Sequence, residues 1–168
     1  MLALVIIDMQ AGFLRRLSEE ELAALVDAQV AVIRHCVAQK YPIVLVETHG
    51  EGSTIPQLYR EVMQTNFVTI TKHDDDGFRG TELRRILQSL AVDALLLMGV
   101  NANACVKETA ITAKDLGFRI ITAEDLIKDC CACCIHTDKF RVWYQDNATL
   151  FPPDTSVDEI FSSLAPSH

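Results

Sequence analysis

Short apolar runs alternate with longer amphipathic stretches from one end of the chain to the other. Runs at Leu2–Ile7, Ile43–Glu47, Phe67–Ile70, Ala94–Met98 and Arg119–Thr122 predict strands, with a weaker sixth near Ala148–Leu150. The first and fourth are almost unbroken in hydrophobicity, as in central strands covered on both faces. The stretches between them have helical spacing. Glu19–Gln39 is opened by the capping box Ser18-x-x-Glu21 and followed by Pro42. Further helices are predicted at Pro56–Gln64, Thr81–Leu90, Val106–Leu116, Ile135–Tyr144 and Val157–Leu164, the third of them ending at Gly117 in a good C′ position.

Strict alternation of strand and helix predicts a parallel sheet with helices on both faces, a three-layer α/β/α domain over residues 1–168. The expected sheet has six mostly parallel strands in Rossmann-like order 3-2-1-4-5-6, which sets the ends of strands one and four side by side. Right-handed crossovers bring every strand's carboxyl end to one rim, where ligands bind. Asp8, Lys72 and Cys105 follow the first, third and fourth strands and so meet at that rim.

The segment GVNANACV, Gly99–Val106, carries the most chemistry. A strand enters a Gly/Asn-rich elbow, and a single cysteine stands where a helix begins. At a helix start, aligned N–H groups and the positive end of the macrodipole favour thiolate over thiol. The same free N–H groups suit a developing oxyanion. A buried cysteine is ordinarily inert, an isolated Asp8 reads as a cap, and an isolated Lys72 reads as solvated surface. Their joint position on one rim favours catalysis.

Composition removes several alternatives. A net charge of −8 leaves no basic stripe to neutralise phosphates, which argues against nucleic acid. No apolar run approaches the ~20 residues of a membrane-spanning helix, so no membrane partner is expected. MLALVIIDMQ has no basic n-region and turns polar at Asp8, unlike a signal peptide. Of six cysteines, four are packed into Cys130–Cys134, a poor disulfide framework, so a cytoplasmic setting with free thiols is expected. No glycine-rich phosphate loop follows Ile7, which weakens a nucleotide- or flavin-binding reading and leaves no cofactor implied.

Three segments in order resemble the isochorismatase-like cysteine hydrolases, the superfamily of nicotinamidases, N-carbamoylsarcosine amidase and isochorismatase. LVIIDMQAGF (Leu4–Phe13) is similar to the first-strand motif D-x-Q-x-x-F, KHDDDGFRGTEL (Lys72–Leu83) to the lysine segment, and GVNANACV to the nucleophile elbow. The resemblance covers nearly the whole chain. It implies that Cys105 is the nucleophile, Asp8 the general base and Lys72 the electrostatic partner of both. It also implies a cis peptide between Val100 and Asn101, an oxyanion hole at the backbone N–H groups of Asn101 and Cys105, and a homo-oligomer. Phe13 and Phe78 are the candidate pocket walls. The expected reaction is hydrolysis of a C–N bond in a small amide, ureide or carbamoyl substrate through a thioester. The alternatives are an isochorismatase-type ether hydrolase and, more distantly, a thiol-redox or metal-binding protein.

Departures from the family pattern sharpen this reading. Many nicotinamidases hold a metal with an Asp-x-His after the second strand. Here ETHGEGSTIPQLY offers only Glu47, His49 and Glu51, so no metal is expected and His49 reads as a rim residue. The run Asp74-Asp75-Asp76 reads first as a solvated loop, second as negative charge at the pocket mouth that disfavours anionic substrates. The cluster Cys130-Cys131-x-Cys133-Cys134, with His136 beyond, reads as partly exposed thiols rather than a zinc site. Trp143 and Tyr144 are candidates for a subunit interface.

Overall fold

A computed structural model describes residues 1–130 and 139–164. The elements are β1 (Leu2–Ile7), α1 (Ala11–Leu14), α2 (Glu19–Gln39), β2 (Ile43–Thr48), α3 (Pro56–Val62), β3 (Phe67–Lys72), α4 (Leu83–Ser89), β4 (Ala94–Val100), α5 (Cys105–Asp115), β5 (Arg119–Ala123), β6 (Ile127–Lys128), α6 (Lys139–Asn147), β7 (Thr149–Phe151) and α7 (Val157–Ser162). The sheet order is β3-β2-β1-β4-β5-β7, and every strand pairing is parallel. That is the expected order, with the sixth predicted strand in last place as β7. The seventh strand is the two-residue β6. A 3-10 turn at Glu124–Leu126 bends the chain back so that Ile127 and Lys128 pair with Gly99 and Val100, beyond the reach of β5.

The unbroken apolar runs are explained by two cores. Leu2, Leu4 and Ile6 of β1 pack with Leu25, Ile33 and Cys36 of α2 and Leu58 of α3 on one face. Ala3, Val5 and Ile7 pack with Leu87 of α4 and Val106 and Ala110 of α5 on the other. A strand between two helix layers must be apolar at every position, so period-two alternation is lost. Edge strand β3 recovers it, with Ile70 and Lys72 buried between exposed neighbours.

Local chemistry sets the boundaries. The Ser18–Glu21 capping box opens α2, with the Ser18 hydroxyl accepting from the Glu21 N–H at 3.2 Å. The predicted helix from Thr81 begins at Leu83, because the Thr81 hydroxyl accepts from the Leu83 N–H at 3.2 Å. Tyr144 is a correction: it is fully buried among the chain's own apolar residues, with its hydroxyl donating to the Ala102 carbonyl at 3.0 Å. A side chain committed to that core has no surface to offer another subunit.

Candidate active site

The three predicted rim residues come together at the carboxyl edge of the sheet. Their meeting depends on Gly99, whose φ is +135° and whose position would put an added Cβ 2.0 Å from the Ile7 carbonyl oxygen. Only glycine lets the ends of β1 and β4 approach this closely. Directly after β1, Asp8 takes a left-handed φ of 53°, which Asp tolerates better than most residues. Its N–H donates to the Val46 carbonyl at 2.9 Å.

Asp8 and Lys72 form an ion pair, with Nζ 2.9 Å from Oδ2, and their side chains are 0% and 1% exposed. Both groups are further partnered, as charges in such a setting must be. The Thr48 hydroxyl donates to Asp8 Oδ1 at 2.9 Å, and Lys72 Nζ donates to the Asp74 carbonyl at 2.9 Å. Burial by itself lowers the Lys72 pKa. Asp8 and then Cys105 outweigh it and hold the ammonium above its ordinary value.

Cys105 is the first residue of α5, one position earlier than the pattern suggested, and is 5% exposed. Its Sγ donates to Asp75 Oδ1 at 3.4 Å. The expectation of a thiolate-favouring setting is corrected here. Burial pushes the Cys105 pKa well up, Asp8 adds to this, and Lys72 opposes them without prevailing; Asp75 raises it further. One buried cation facing two carboxylates leaves the free protein with a thiol.

The Val100–Asn101 peptide is cis. Among the described residues the backbone N–H groups of Asn101 and Cys105 have no acceptor, whereas Ala102 donates to the Lys128 carbonyl and Ala104 and Val106 donate to the Asn101 carbonyl. The Asn101 side chain fixes the elbow from below, with Oδ1 accepting from the Cys130 N–H at 2.6 Å. Asn103 is held by Asp129, which accepts from its N–H at 2.8 Å and its Nδ2 at 2.7 Å. A cavity of about 470 Å³ opens over Cys105 and Lys72, with Phe13, Thr48, Glu51, His73, Asp75 and Asn101 among its walls. A larger hollow of about 760 Å³, between Tyr41, Met63 and Leu90, lies at the opposite, amino-terminal end of the strands and holds none of these groups.

Phe13 is therefore at the cavity, and Phe78 is not. Phe78 is a correction, since its ring stacks 6.2 Å from that of Phe118 within the core. The acidic run is corrected in part as well. Asp76 is buried and accepts from the Phe78 N–H at 2.9 Å and the Thr112 hydroxyl at 2.8 Å, anchoring the lysine loop to α5. Thr109 adds a second anchor: its hydroxyl accepts from the Gly77 N–H at 2.9 Å and donates to the Cys105 carbonyl at 2.7 Å. Glu47 accepts from the Thr54 N–H at 2.7 Å and hydroxyl at 2.8 Å. His49 is exposed, its ring 4.7 Å from that of His73. Among the described residues no group of three His, Cys, Asp or Glu is arranged to hold a metal ion. Cys130 is buried rather than partly exposed; Cys131, Cys133, Cys134 and His136 lie outside the described residues.

Gln10 carried no role in the sequence reading, and Asp75 entered it only within the acidic run, as solvated loop or as charge at the pocket mouth. Gln10 is fully buried, accepting from the Thr48 N–H at 2.8 Å and donating to the Thr48 and Gly52 carbonyls at 3.0 and 2.5 Å. It ties the Asp8 turn to the loop after β2, and its place in D-x-Q was the available signal. Asp75, the thiol's acceptor, gave no signal beyond its position in an acidic run.

A parallel α/β/α sheet with a thiol, an acid and an amine at its carboxyl edge defines the class of protein, and comparison with known proteins supplies the family. The family model for the isochorismatase domain matches residues 2–143. The chain belongs to the isochorismatase family. It is 29% identical over 80 residues to the secreted isochorismatase effector Isc1 of Verticillium dahliae, a stretch covering 47% of this chain and 42% of that protein. The match thus spans less than half the length of that curated relative. N-carbamoylsarcosine amidase from Thermoplasma acidophilum superposes with a TM-score of 0.76 at 24% identity, covering 92% of this chain and 98% of that one. The YcaC gene product of Escherichia coli, described as an octameric hydrolase of unknown specificity, superposes with a TM-score of 0.76 at 17% identity over 96% and 79% of the two chains. At these identities the structural likenesses establish the fold. Among the described residues no helix is long and apolar enough to cross a membrane.

Proposed function

We propose that the protein hydrolyses a C–N bond of a small amide, ureide or carbamoyl compound through a thioester on Cys105. The observation that carries this reading is the convergence at one cavity of a thiol, the buried Asp8–Lys72 pair and two N–H groups with no acceptor among the described residues. Asp8 takes the thiol proton as Sγ attacks the carbonyl carbon, because a resting thiol must be deprotonated as it reacts. The oxyanion of the tetrahedral intermediate receives hydrogen bonds from the N–H groups of Asn101 and Cys105. Collapse breaks the C–N bond, and the departing nitrogen takes the proton from Asp8. Water then gives a proton to Asp8 and adds to the thioester, and the second collapse releases the acid product and expels the Cys105 sulfur, which takes the proton back from Asp8. Lys72 keeps Asp8 ionised whenever Asp8 holds no transferred proton, and favours negative charge on sulfur.

No metal enters this scheme. A cytoplasmic setting keeps the thiol free, and Phe13 walls one side of the cavity. A homo-oligomer is supported by the octameric state of the YcaC product. Such a partner would cover the open rim and strengthen the field of Lys72 on the thiol by excluding water.

The test is a panel of small primary amides, ureides and N-carbamoyl compounds offered to the wild type and to Cys105→Ala. Release of ammonia or amine by the wild type alone is the expected result. Turnover undiminished in Cys105→Ala overturns the reading.

A further inference from the structure

The charges around the Cys105 cavity do not balance. Among the described residues Lys72 is the only lysine or arginine on its wall, and Asp8 holds it at 2.9 Å. The carboxylate of Asp74 is likewise taken, 3.2 Å from Arg79. That leaves Asp75 and Glu51, both exposed at the cavity, with no cation within ion-pair distance among the described residues. Arg15 and Arg16 line an adjoining cavity of about 240 Å³ that shares Glu51, but not the one that holds the thiol. His73 adds positive charge to the wall only when protonated.

We propose that Asp75 is a specificity-determining residue, selecting substrates that carry an ammonium, guanidinium or similar cationic group beside the scissile carbonyl. This rests on the cysteine-hydrolase reading of the same site. Asp75 Oδ1 lies 3.4 Å from Sγ, so a group that pairs with its carboxylate is held next to the reacting atom. In the free protein that carboxylate accepts the thiol's hydrogen. A bound cation takes the acceptor away and neutralises one of the two carboxylates that hold the thiol protonated, so Asp8 becomes the proton's destination. An anionic substrate gains no partner and meets Asp75 and Glu51 instead, which disfavours it. Recognition and activation are thereby joined at one side chain. Glu51 extends the negative wall toward the mouth, where the cation enters.

The test uses the intact protein and three methanethiosulfonate reagents of different charge: the aminoethyl cation, the neutral methyl compound and the sulfonatoethyl anion. Each rate at Cys105 is read by peptide mass spectrometry at pH 8 and divided by the same reagent's rate with 2-mercaptoethanol. The expected result is a cation-to-anion ratio of at least about tenfold in the wild type. It should collapse toward unity in Asp75→Asn and be retained in Asp75→Glu. A ratio unchanged in Asp75→Asn, or a wild-type preference for the anion, overturns the proposal. Labelling needs no turnover, so the proposal and the hydrolase reading fail separately. Once a substrate pair is in hand, Asp75→Asn should raise KM for the cationic amide about tenfold and leave its neutral isostere within twofold.

Discussion

Lys72 Nζ lies 2.9 Å from Asp8 Oδ2, and neither side chain reaches solvent. The pair joins the ends of β3 and β1 across the intervening β2, so it holds the site together as well as supplying its charge.

Removing one partner leaves the other as an uncompensated buried charge. Lys72→Met should therefore lower unfolding stability by about 3–5 kcal/mol and abolish hydrolysis. The double variant Asp8→Asn/Lys72→Met should recover part of that stability without recovering activity. Urea titration reads both effects, and a Lys72→Met loss below about 1 kcal/mol would count against a buried pair.

Gly99→Ala should be among the most damaging small substitutions in the chain. The new methyl would meet the Ile7 backbone at a backbone φ that L side chains rarely adopt. A loss of about 3 kcal/mol or more is expected, together with loss of activity as Asp8 and Cys105 separate. Denaturant unfolding of the soluble fraction measures it. A variant within about 0.5 kcal/mol of wild type would contradict the close β1–β4 approach.

Much of this site was legible from periodicity alone. The apolar runs ending at Ile7 and Met98, and the alternation that makes the sheet parallel, bring Asp8, Lys72 and Cys105 to one rim. What periodicity does not carry is which neighbour a polar side chain chooses. Asp75 and Asp76 are adjacent and chemically identical, yet one faces the thiol and the other is buried against Thr112 and the Phe78 N–H. Phe78 follows the same loop inward to Phe118 rather than out to the cavity. The protonation of Cys105 was missed for a related reason. The helix start is visible in sequence, but the burial and paired carboxylates that outweigh it arise only when distant segments pack.

The raised Cys105 pKa has a definite sign in labelling. A thiol with an elevated pKa is mostly protonated at neutral pH, and its thiolate fraction keeps rising about tenfold per pH unit until that pKa is reached. The rate of Cys105 alkylation by iodoacetamide should thus climb without a plateau from pH 6 to about 9.5, whereas an exposed cysteine levels off near pH 9. Cys105 should still react ahead of Cys36, which is fully buried and pushed up to about 12 by burial, because Cys105, unlike Cys36, lines this cavity. Peptide mass spectrometry at timed quenches checks this. A Cys105 plateau already present at pH 7 would indicate a resting thiolate.

Sedimentation equilibrium across micromolar concentrations should report a homo-oligomer. Dilution to monomer should lower activity per chain, because the uncovered rim admits water and weakens the Lys72 field. A strictly monomeric species with full activity would remove the oligomer and its mechanistic reason together.

The nucleophilic role of Cys105 is tested most directly by intact-protein and peptide mass spectrometry after rapid acid quench, during turnover of any amide, ureide or carbamoyl compound the protein hydrolyses. The expected result is an added mass equal to the substrate's acyl group, confined to the Cys105 peptide, discharged by hydroxylamine and absent in Cys105→Ala. Turnover with no acyl group on Cys105 at any quench time, combined with an active Cys105→Ala, would contradict it.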